Sequence, residues 1–256
     1  MYHELFDEYG KSEYQKNITL DWIPMDTEEL FITNLEKNKK LNEYKLNPIK
    51  YKLNNFGFRT PDDFNEYDTG NVFLGCSHTM GIGHHLENTW SYKLSQEIGE
   101  KFWNISIGGS GVMTHYRLLL YYVKMLKFKN VFHFIPYYGR YEFFIKDVPV
   151  MFPILKTNWS EYFGKFYDDG LMNYLQINIF NSAFVDAIKG LCYDNGINYI
   201  PIYSTKYDDY QGEIRNKKLT KNPARDLVHY DVEVQEMIFL DFLHRYENDK
   251  IKKHII

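Results

Sequence analysis

The chain has 256 residues, 44% of them hydrophobic and 18% aromatic, which is enough for one large domain with a sizeable core. A formal net charge of −4 weighs against a nucleic-acid partner, which a basic face would serve, and two cysteines, Cys76 and Cys192, exclude a disulfide framework or a CxxC metal knuckle. Residues 1–10 lack the basic and apolar regions of a signal peptide, and the best apolar run, 118–123, is far too short to span a bilayer; a soluble, cytoplasmic protein without a membrane partner is expected, with a virion or other assembly as the alternative setting.

Residues 1–68 read as an N-terminal extension packing on the main domain, with charged turns, Pro24 and Pro48 in extended contexts, and a short helix over 27–37 capped by Asp26 or Thr27. From Gly70 onward strands and helices alternate. The run 71–75 is apolar, ends in glycine and reads as a buried strand. Helical spacing at Trp90, Leu94 and Ile98 marks 88–99 as a helix, with Asn88 as its cap. The next strand, 102–107, ends in the glycines of Gly108-Gly109-Ser110-Gly111, and 113–126 is helical. A third strand, 131–135, stops at Pro136, and 137–170 reads as an insertion on the active-site side in which 139–170 takes no assignment. A long helix follows over 171–195, then a strand over 198–203, a loop over 204–231, and a final helix over 232–246 with Val234, Met237, Ile238 and Phe242 on one face. This order predicts an α/β domain over 69–256 with a parallel sheet covered by helices on both faces. Ligands bind such sheets at the carboxyl ends of the strands.

Three features at that edge carry chemistry. Ser77, in Gly75-Cys76-Ser77-His78-Thr79-Met80-Gly81, follows a buried strand on a tight turn, where its hydroxyl and its own amide face one cavity. The segment is neither a Walker loop nor a Rossmann fingerprint, and Thr79 stands where a G-x-S-x-G elbow needs glycine. Cys76 is expected to be buried or to point away from the cavity of Ser77. The second feature is Asp226-Leu227-Val228-His229, whose spacing lets a carboxylate orient an imidazole. The third is Asn104 followed by the glycines at 108–111, where backbone amides approach a ligand closely. His78, His84, His85 and His115 lack a carboxylate or cysteine to complete a ligand set, so no metal site is expected.

Taken together, Gly75-x-Ser77-x-Thr79-x-Gly81, Asn104 and Gly109, and Asp226-x-x-His229 resemble the SGNH (GDSL-like) hydrolases, and Asn55-Phe-Gly-Phe-Arg59 resembles their lead-in. The resemblance spans roughly residues 54–246. It implies a three-layer α/β/α, flavodoxin-like parallel sheet, with Ser77 as nucleophile, His229 as general base and acid, and Asp226 as the orienting carboxylate. It also implies an oxyanion hole from the Ser77 and Gly109 amides, with Gly108 or Gly111 as substitutes. The chain departs from the family twice. Cys76 stands where the family's Gly-Asp-Ser has Asp. No Asn appears in Pro136-Tyr137-Tyr138-Gly139-Arg140-Tyr141-Glu142, where the family supplies a further oxyanion donor. Loss of one such donor typically costs about 10²–10³ in turnover. Arg140 or the Tyr138 hydroxyl is the candidate replacement; Arg140 is equally open to a substrate carboxylate or phosphate, a salt bridge to Glu142, or a loop anchor. The expected function is that of a serine esterase or deacylase acting on an acyl ester, such as an O-acetyl group on a carbohydrate or small molecule, without cofactor or metal. Acyl transfer would use the same residues. The rival expectation is an SGNH-like module with weak or no catalysis and a carbohydrate-binding or structural role.

Overall fold

In a computed structural model, residues 15–65, 68–136, 140–145, 148–153, 174–216 and 220–254 are described. Four parallel strands form the central sheet: β3 (Thr69–Leu74), β4 (Lys101–Asn104), β5 (Lys127–Ile135) and β8 (Asn198–Tyr203), in the order β4-β3-β5-β8. Two short strands precede it, β1 (Thr19–Leu20) and β2 (Tyr51–Lys52), and an antiparallel hairpin, β6 (Arg140–Ile145) and β7 (Val148–Pro153), follows β5. The helices are α1 (Glu28–Lys37), α2 (Glu43–Leu46), α3 (Ser77–Met80), α4 (Trp90–Ile98), α5 (Val112–Tyr122), α6 (Tyr174–Asp194), α7 (Thr205–Asn216) and α8 (Val232–His254). Among the described residues no helix is long and apolar enough to cross a membrane.

Period-two alternation along the strands divides the core between the two faces. Val72 and Leu74 of β3, Trp103 of β4 and Val131 of β5 point to one side, where Leu118, Leu119 and Tyr122 of α5 and Ile188 and Cys192 of α6 cover them. Phe73, Phe102, Phe132, Phe134, Ile200 and Ile202 point to the other, against Trp90 and Leu94 of α4, Tyr207 of α7, and Val234, Ile238 and Phe242 of α8. Helices therefore flank both faces, consistent with a three-layer α/β/α arrangement. At the amino end of the strands an asparagine ladder fixes register: Asn198 donates to Asn130 at 3.1 Å, and Asn130 to Asn71 at 2.8 Å.

Several local expectations are corrected. The cap of α4 is Thr89, whose hydroxyl accepts from Tyr92 N–H, while Asn88 belongs to a preceding 3-10 turn. Thr27 caps α1, because the Asp26 carboxylate is committed elsewhere. The span 204–231 is not one loop: α7 occupies its first half. Its charged, amide-rich sequence hides the Tyr207 and Ile214 that it buries. Helix α5 ends at Tyr122, four residues short of the expected end, and α8 runs on to His254.

The leading segment packs its own apolar cluster, including Phe31, Leu35, Tyr44 and Tyr51, onto Met80 at the end of α3 and Ile82 just beyond it. A buried ion pair anchors it. Asp26 accepts from Arg225 Nε at 2.9 Å and Nη2 at 2.6 Å, with both side chains 1% exposed. The Arg225 guanidinium also lies 3.9 Å from the Trp22 ring centre, and Tyr51 OH donates to Asp26. Removing one partner of such a pair strands a buried charge, at about 3–5 kcal/mol, whereas replacing both with apolar groups is far milder. Asp26→Ala should therefore lower the unfolding free energy in urea by about 3–5 kcal/mol, and Asp26→Leu with Arg225→Met should recover most of it. Equal losses in the single and double variants would show that the stranded guanidinium is not the cause.

Candidate active site

The carboxyl edge of β3 makes a turn that glycine alone permits. A Cβ on Gly75 would lie 2.0 Å from Thr79 Oγ1 and 3.1 Å from the Phe134 carbonyl oxygen. The chain thereby enters α3 at once, with Ser77 as its first residue and Cys76 fully buried behind it. In the first turn of a helix the amides have no intrahelical acceptor. Among the described residues the Ser77 N–H has no acceptor, and neither has that of Gly109. Gly109 sits at φ +76° in the turn after β4, a conformation costly to residues with a Cβ.

The far end of α3 is held by side chains. Arg59, 1% exposed, donates to the carbonyls of Met80 (3.2 Å), Gly81 (2.5 Å) and His84 (2.8 Å). Asn104 donates to the Thr79 carbonyl at 3.1 Å, and its own oxygen accepts from Ser106 N–H.

Asp226 and His229 are brought together directly. Asp226 Oδ1 accepts from the N–H groups of Val228 (3.0 Å) and His229 (3.1 Å), and Oδ2 accepts from His229 Nδ1. Leu227, between them, takes φ +58°, which folds the carboxylate back over its own loop. Burial works to raise the Asp226 pKa, but the hydrogen bond and charge of His229 and the two backbone N–H groups outweigh it, and the carboxyl titrates below its ordinary range.

This loop reaches the Ser77 turn through His78. The His78 and His229 rings meet edge to face with centroids 5.1 Å apart, and His78 stacks on Tyr230 at 3.7 Å. Ser77, Asp226 and His229 are all buried, at 6%, 3% and 5% exposure. Ser77 Oγ and His229 are not hydrogen-bonded to each other; the hydroxyl lies 4.0 Å from Cys76 Sγ. Burial pushes His84 down to about 4, although its ring bonds the Tyr230 carbonyl, and burial first, then the charges of His229 and Arg140, pushes His78 well below the usual imidazole value.

Arg140 is a loop anchor: its Nη1 donates to the Ser110 carbonyl at 3.3 Å, and its charge bears on His78 and His115. The expected salt bridge to Glu142 is not formed, because Glu142 takes a bidentate pair with Arg117 at 2.7 and 2.8 Å. Tyr138 lies outside the described residues, as does most of the expected insertion. Sequence reading missed the anchoring roles of Arg59 and Asp26 and considered His78 only as a metal ligand; none has a local signature, since each partner is distant in the chain. No protein-family model matches the chain, and neither does any curated protein.

A depressed carboxyl pKa contributes stability that is complete above the unfolded value of about 3.9 and is lost as pH falls through the folded value. Asp226→Asn should therefore cost stability at neutral pH by an amount that shrinks below about pH 4, as read from urea unfolding across that range. A cost that stays constant into acid would overturn this account of the carboxylate.

Proposed function

We propose that the chain is a serine esterase or deacylase of the SGNH type. The observation that carries the reading is the Asp226–His229 pair, held by a backward-folded loop whose imidazole stands beside the Ser77 turn. His229 Nδ1 gives its proton to the hydrogen bond with Asp226, so Nε2 is the nitrogen left to act as base. His229 takes the Ser77 proton as Ser77 attacks an acyl carbonyl; the tetrahedral oxyanion forms against the amides of Ser77 and Gly109. The imidazolium then protonates the leaving alcohol, and water, activated by the same imidazole, releases the acyl group. Asp226 stabilises the imidazolium in both half-reactions. The substrate class is an acyl ester, with O-acetyl carbohydrate favoured by the resemblance alone.

One observation favours a module without turnover: Ser77 Oγ rests toward Cys76 and not on His229. Catalytic hydrogen bonds are often long before substrate arrives, and labelling separates the two readings. A fluorophosphonate probe should label the wild-type chain and leave Ser77→Ala unlabelled, and a panel of acetylated glycans and aryl acetates should be hydrolysed. Asp226→Asn should lower kcat by about 10⁴, the loss expected when the imidazole takes the wrong tautomer. Folded wild-type protein that neither labels nor turns over any of these esters would leave the binding module as the surviving reading.

A further inference from the structure

A second polar chain runs through the interior beside this site. Ser110 Oγ meets His115 Nε2 at 3.0 Å, His115 Nδ1 meets His133 Nε2 at 2.9 Å, and His133 Nδ1 meets the Tyr199 hydroxyl at 2.8 Å. Ser110, His115 and His133 are 0% exposed, and Tyr199 is half-buried. Ser110 cannot be a second nucleophile, because no substrate reaches it. Buried polar groups cost about 1–3 kcal/mol each when unmet, so losing one member leaves its neighbour unmet and the four hold one another in place.

Its direction follows from the acceptors at one end. Ser110 Oγ lies 2.7 Å from the Ile107 carbonyl and 3.0 Å from the Gly75 carbonyl, both of which only accept. Its one proton goes to them, so toward His115 it accepts, and His115 carries its proton on Nε2. Burial pushes His115 down to about 3 and His133 well below the usual imidazole value, so both rings are neutral. His115 Nδ1 then accepts from His133 Nε2–H, and His133 Nδ1 accepts from Tyr199 O–H. The Ser110 end is where position matters. Ser110 follows Gly109, and its hydroxyl joins the turn after β4 to Gly75, at the start of the turn that carries Ser77.

We infer that Ser110, His115, His133 and Tyr199 form a buried relay of positioning residues that sets the Gly109 amide relative to the Ser77 amide. Its kinetic consequence rests on the esterase reading; its geometry does not. The relay acts through the backbone and touches no substrate.

Two measurements on the full chain test it. In ¹⁵N-histidine NMR near neutral pH, His115 and His133 should both be neutral with the proton on Nε2, and Tyr199→Phe, which removes the far donor, should displace the His115 ring signals two hydrogen bonds away. A protonated or Nδ1–H ring, or a His115 that does not respond, overturns the relay whether or not the protein has activity. In steady-state hydrolysis, Ser110→Ala should lower kcat about 10- to 100-fold with KM unchanged, the scale of a small misplacement of the reacting geometry, and Ser110→Thr should restore part of it. A folded Ser110→Ala with wild-type kcat overturns the positioning role. Wild-type protein without esterase activity sinks the esterase reading, and the NMR result then decides the relay alone. Should Ser110→Ala fail to fold, the kcat of Tyr199→Phe replaces it, with a reduced kcat at unchanged KM expected and a wild-type kcat overturning the role.

Discussion

The arrangement of the site depends on one buried guanidinium. Arg225 is spent on Asp26, 199 residues earlier, and its own backbone N–H donates to the Gly83 carbonyl at 2.9 Å. The Gly83 N–H donates in turn to Tyr51 OH at 2.9 Å, and Tyr51 OH donates to Asp26. One closed set of bonds therefore grips the chain just after the Ser77 turn and just before Asp226. A buried charge of this kind is expensive unless every partner is in place. The leading segment thus fixes the distance between two loops that lie far apart in sequence, and Asn34, which donates to the Asp226 carbonyl at 2.8 Å, extends the same grip by one residue.

Arg59, whose guanidinium lies 4.4 Å from the Tyr51 ring centre, works in parallel. By collecting the carbonyls of Met80, Gly81 and His84, it satisfies the end of a helix too short to be stable alone. Helix α3 is a single turn held between the tight Gly75 bend and this cation. The strand order adds the opening: β4 and β5 lie on opposite sides of β3, so connections diverge at the carboxyl end of β3, where α/β sheets leave a crevice.

Most of the sheet was legible because its signals are local. Four short apolar runs, three of them ended by glycine or proline, matched the four parallel strands to within a few residues, and the periodic helices α4 and α8 followed from spacing at Trp90, Leu94, Val234 and Phe242. The Asp226–His229 pairing was legible for the same reason, since three residues of separation confine it to one loop. What escaped is either masked by polar composition, as in α7, or depends on partners distant in sequence. Asp26 with Arg225, Arg59 with His84, and His115 with His133 each read alone as an ordinary charged or polar residue. Arg140 misled for the opposite reason: Glu142 is close in sequence and, two residues on along β6, shares its face, but both of its carboxylate oxygens are taken by the buried Arg117 on α5.

Five histidines at and beside the site are divided by what their rings touch. His84 bonds a carbonyl, His115 and His133 bond each other and neutral hydroxyls, and His78 stacks on Tyr230 and sits near Arg140. Burial is the largest cause in each and pushes all four toward neutrality; at His84 it outweighs the Tyr230 carbonyl and the charges of Asp226 and Asp231, which favour the positive ring. His229 alone among the described buried histidines bonds a carboxylate, and that carboxylate is itself held ionised by two backbone N–H groups. That bond holds the imidazole by Nδ1 and leaves Nε2 as the nitrogen for the acid–base steps of the proposed reaction.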